Sequence, residues 1–242
     1  MRKLILLIAA LAVPLHAANS PSLLPSLLPS GQSSLSTPMQ IIVLMTLLTA
    51  LPAIIMSVTP FLRISIVLHF LRQALGTQSA PSNQVLIGLS LFLTLVCIQP
   101  TATQIYKNAL EPAEQGTITP SQAWDAGTRP LKAYLIRFVR EKDVKLFLDL
   151  THSPTPHTPA DLDLNVLAPA YILSEMRAGF QIGAVIYLPF LLIDIVVASV
   201  TLSIGMVQLP PAMVSAPFKL LLFVLVDGWN LTVGSLMKGF FT

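Results

Sequence analysis

Four long apolar blocks set the terms on which this chain can fold. The first runs from Ile41 to Leu62 without a charged residue, and the second from Val85 to Ile105 is also uncharged. The third runs from Pro169 through Leu209 and the fourth from Pro211 to Phe241. A helix crossing a bilayer core of about 30 Å needs roughly 20 predominantly apolar residues, and each block reaches that length. The whole chain is 54% hydrophobic and 10% charged, against about 25% charged in soluble domains. It therefore reads as an all-α membrane or membrane-complex protein. A net charge of +3 without a basic patch gives nucleic acid nothing to bind. Cys97 lies inside an apolar run and reads as a small buried residue.

The N-terminus, MRKLILLIAALAVPLHAANS, has a basic start and a short apolar stretch, as a secretory signal does. We assign 1–18 to that signal and the Pro- and Ser-rich 19–38 to a linker. Residues 39–105 form the first helical hairpin. Met39 to Leu75 reads as one helix kinked at Pro52 and Pro60 and stopped by Gly76. The polar turn GTQSAPSN leads into the next helix. Residues 106–168 hold most of the charge and form a small helical insert, periplasmic if the signal sets the topology. Thr119-Pro120-Ser121-Gln122 has the form of a capping box. Pro130 to Leu150 is amphipathic, and Asp143 is a candidate cap that would split it. His152 and His157 sit beside prolines in a loop, and neither a metal nor a cofactor is expected. Residues 169–242 form the second hairpin, broken at Leu209-Pro210-Pro211.

Four ionisable residues fall in apolar helices: Arg63, Asp194, Lys219 and Asp227. Each would cost on the order of 3 kcal/mol facing lipid, so each should face protein or water. Counting from the turn, Asp194 and Asp227 lie about 23 and 26 Å from it, and Lys219 only about 14 Å. Lys219 is then no level partner for either acid in its own hairpin. Arg63, a neighbouring subunit or protonation of one acid would have to answer for them. These charges read as ion pairs that fix register in a helical assembly. The functional alternative is a proton or ion relay.

Three stretches carry a resemblance. They are TPFLRISIVLHFLRQALGTQSAPSNQVLIGLSLFLT (59–94), SEMRAGFQIGAVIYLPFLLIDIVVASVTLSIGM (174–206) and LPPAMVSAPFKLLLFVLVDGW (209–229). The chain resembles the FliP family, the P component of the flagellar type III export gate and its injectisome counterparts. The resemblance implies a non-enzymatic role. It implies a homo-oligomer of about five copies, joined by Q-like and R-like partners in a helical oligomeric pore that admits unfolded flagellar subunits. It also implies a place in the bacterial inner membrane at the flagellar basal body, with the assembled core partly on the periplasmic side. The family's methionine-rich gate loop corresponds here to Gly205-Met206-Val207-Gln208, where only one methionine remains.

The competing reading is a stand-alone ion-coupled transporter with Asp194 in its relay. Hydrolase motifs such as GxSxG and HExxH are absent from the sequence. Tyr134, Phe147 and Glu175 are candidate subunit contacts. The alternative for the two aromatics is the insert's own small core, and for Glu175 a local pair with Arg177.

Overall fold

A computed structural model describes residues 37–77, 80–154, 156, 158–206 and 210–241. The expected signal, most of the linker, and Val207, Gln208 and His157 lie outside them. The chain divides into two compact units, 1–48 and 49–242. The described part of the first is the opening of helix α1 (Thr37–Ser57). The second contains the remaining helices and the candidate site.

The described residues are helical with no strand. After α1 come α2 (Phe61–Ala74) and α3, a continuous Asn83–Glu114 helix with a π-helical turn at Tyr106–Leu110. The insert contributes α4 (Pro120–Phe138) and α5 (Glu141–Thr151). The long α6 (Leu164–Ser203), α7 (Pro211–Leu225) and α8 (Gly228–Phe241) complete the order. By length and composition α3 and α6 can each cross a membrane. Ile41–Ser57 with α2, and α7 with α8, qualify when each bent pair is counted as one span.

Several expected boundaries move. Met39 to Leu75 is two helices rather than one, turning by 70° at a break after Ser57. Pro60, with no N–H to donate, begins the second, whereas α1 runs through Pro52. Pro169 lies inside α6, which starts at Leu164. The fourth block is also two helices, bent by 65° at Val226 and Asp227. Thr119 and Gln122 make both bonds of the expected capping box, 3.4 and 2.9 Å. The amphipathic segment does split, but Arg140 is the N-cap and Asp143 sits a turn further in.

Helix α2 is the spine. Its buried residues Arg63, Ile64, Val67, Leu68, Leu71 and Ala74 recur at helical spacing. One end of this stripe packs with Leu86, Cys97, Leu236 and Phe240 of α3 and α8. The other packs with Phe190 of α6 and Phe223 of α7. A third cluster joins Leu135 of the insert to Val166, Leu167 and Tyr171 of α6. Helix α6 approaches α2 closely because Gly183 has no side chain. A Cβ there would stand 2.6 Å from Phe70 Cγ.

Candidate functional site: buried charges and the α6–α7 loop

Helix α6 ends in a Schellman motif that the expected boundary at Leu209 misses. Gly205 takes φ +84°, open to glycine at little steric cost. Its N–H donates to Leu202 O at 3.1 Å, and Met206 N–H donates back to Thr201 O at 3.0 Å. The next helix starts with Pro211 at its first position, after Pro210 in extended conformation. The Schellman turn and the proline pair thus fix where α6 stops and α7 starts. Met206, half-exposed after that turn, is the only methionine in the sequence between Ser203 and Pro211.

This earlier stop corrects the depth count. Measured from Ser203 and Pro211, Asp194 and Lys219 lie about 13 and 12 Å from their helix ends, at one level. Lys219 Nζ donates to Asp194 Oδ2 at 2.6 Å, so the two are partners within their own hairpin, contrary to the expectation. Ser215 Oγ donates to the other carboxylate oxygen at 2.5 Å. Both oxygens of Asp194 are thus engaged. Lys219 is 3% exposed, while the Asp194 side chain keeps 26%.

Arg63 reaches neither Asp194 nor Asp227. It pairs with Glu175, which is 0% exposed, and the guanidinium lies over the Phe240 and Phe138 rings. Glu175 is thus enclosed within the chain, and Arg177 faces Asp143 instead at 3.8 Å. Asp227 is exposed at the α7–α8 bend with φ +50°, and accepts from Asn230 Nδ2 at 3.1 Å. It is therefore not inside an apolar helix.

Tyr134 and Phe147 are half-buried against the Leu135–Tyr171 cluster. The Tyr134 and Tyr171 hydroxyls lie 3.4 Å apart. Burial pushes the Tyr134 phenol above its ordinary range, and the hydrogen bond with Tyr171 pulls the other way. A network that the sequence did not signal anchors the insert. Ser174 Oγ donates to Asp143 at 2.6 Å and accepts from the Arg140 backbone N–H at 3.0 Å. Arg140 Nη2 donates to Gln181 Oε1 at 2.7 Å. Among the described residues no group of three His, Cys, Asp or Glu side chains is placed to hold a metal.

Comparison with known proteins bears on what these features serve. The FliP family profile matches residues 44–236. The flagellar biosynthetic protein FliP of Pectobacterium carotovorum subsp. carotovorum is 45% identical over 225 residues, covering 93% of this chain and 87% of that protein. The FliP of Bacillus subtilis (strain 168) is 44% identical over 211 residues, 87% of this chain and 96% of that protein. The FliP of Cereibacter sphaeroides is 46% identical over 211 residues, 87% and 70% of the two chains.

Proposed function

The chain belongs to the FliP family, and from that premise we propose that it is a core pore subunit of the flagellar type III protein export gate. As a family member it is a flagellar biosynthesis component, with apolar helices suited to a multi-pass place in the bacterial inner membrane. The proposal adds the assembly. About five copies surround an axis with Q-like and R-like partners, the core lies partly on the periplasmic side, and unfolded flagellar subunits enter through it. No chemical step is required of the chain.

One observation carries this reading. In sequence, Gly205–Gln208 lies between the closed Schellman turn that ends α6 and the Pro210-Pro211 start of α7. The two helices are tied to each other about 12 Å below by Asp194 and Lys219. A segment anchored at both of its helix ends, repeated around an axis, lines a constriction. An apolar ring excludes ions by dewetting, and polar groups lower that barrier. Met206 supplies an adaptable apolar side chain and Gln208 a polar one.

The test is ion conductance, or small-solute sensitivity of cells, at matched complex levels. Deleting Gly205–Gln208 should raise leakage without abolishing assembly, and Gln208→Met should lower it. Unchanged leakage for the deletion removes the gating role from this loop. The charge geometry also favours assembly over a transport relay. A relay through Asp194 would have to break the contact with Lys219 or Ser215 in every cycle.

A further inference from the structure

Arg63, Phe138, Glu175 and Phe240 come from four helices, α2, α4, α6 and α8, and meet at one buried point. Arg63 Nη2 donates to Glu175 Oε1. The remaining polar atoms are poorly served. Arg63 Nε and Glu175 Oε2 are buried and have no hydrogen-bond partner among the described residues. A buried pair joined by a single hydrogen bond lacks the contacts that offset its dehydration. The aromatic rings stand where the missing stabilisation is needed. The guanidinium carbon is 4.4 Å from the centre of the Phe240 ring and 5.5 Å from that of Phe138. The two rings meet edge to face at 5.5 Å. A ring face carries negative potential and attracts a cation, most strongly where water is excluded.

We infer that Phe240 is a positioning residue: its ring closes the Arg63–Glu175 site, and through that pair the C-terminal helix holds the end of α4 in place. Phe138 is the last residue of α4 and Arg140 caps α5, so the joint between the insert's helices sits against this site. Phe240 is also packed in the apolar cluster with Ile64 and Leu236. A merely structural role would therefore respond to ring size, whereas the inferred role responds to the charge on the ring face. The inference rests on contacts within the chain and stands apart from the pore reading.

A series of phenylalanines bearing one, two and three ring fluorines, incorporated at position 240 of the full-length membrane-embedded protein, separates the two. Fluorine withdraws charge from the ring face and changes its volume little. The readout is the rate of tryptic cleavage after Arg140, which requires the α4–α5 joint to open. The expected result is a stepwise rise, roughly 10-fold across the series. In an Arg63→Met/Glu175→Gln background the series should be flat. A flat series in the parent chain, or an equal slope in the charge-free background, overturns the inference. If that background does not fold, the slope in the parent chain decides alone.

Discussion

Asp194→Asn should damage the protein more than Lys219→Met, and the double substitution should repair much of the damage. The amide keeps the shape of the carboxylate and can still accept from Ser215. It leaves Lys219, 3% exposed, as a buried ammonium without its counter-charge. Breaking a buried ion pair in this way costs about 3–5 kcal/mol. The 26% exposure of the Asp194 side chain places this pair at the lower end, about 3 kcal/mol, or roughly 150-fold in the folding equilibrium. Lys219→Met leaves the better-hydrated partner, which still accepts from Ser215, and should cost about 1–2 kcal/mol. The double variant has no charge left to strand and should lie within about 1 kcal/mol of the parent, because neutral replacements of buried pairs are often tolerated. The assay is a detergent unfolding titration on each full-length variant, with native gels of solubilised membranes reporting the assembled complex. Equal losses for the double variant and Asp194→Asn would refute the coupling. An intact complex of Asp194→Asn that had lost only proton coupling would refute the structural role of the pair.

Gly183→Ala should lose about 1–3 kcal/mol through overpacking, since the new Cβ would meet Phe70 Cγ at 2.6 Å. Phe70→Leu should restore the thermal midpoint if that contact is the cause. Ser174→Ala removes the donor to Asp143 and the acceptor for Arg140 N–H. It should cost about 1–3 kcal/mol and speed tryptic cleavage after Arg140, and an unchanged rate would show that the network does not hold the insert. Lys238→Met should leave more assembled complex than Lys219→Met, because Lys238 is exposed and Lys219 is buried. Equal loss on native gels would count against that ranking.

Much of the fold could be read locally. The apolar blocks specified helices because a chain so poor in charge has few other ways to satisfy its backbone in an apolar medium. Gly76, at φ +71°, and the Thr119 capping box act over a few residues, so their neighbours in sequence are enough to identify them. Gly205 was equally available as a stop signal. Running α6 on to Leu209 overrides it, and that single choice displaces Lys219 from the level of Asp194. Proline was the ambiguous signal. Pro60 starts a new helix, while Pro52, Pro169 and Pro189 lie inside helices. What separates them is packing around each residue, which composition does not encode.

The sequence by itself determined that the chain is helical, that its helices are apolar enough for a membrane, and that a few ionisable groups within them need partners. It also carried the stretches that resemble the FliP family. Which charges meet was decided only by the tertiary structure. Arg63 and Glu175 are 112 positions apart and belong to helices that touch because Gly183 lets Phe70 in. Asp194 and Lys219 meet because the end of α6 and the start of α7 put them at a common depth. Asp227 escapes burial because the last block bends at its position. Need for a partner is a property of one residue and its solvent. The choice of partner depends on helix ends, bends and packing distances, and a displacement of one helical turn, about 5.4 Å, is enough to change it.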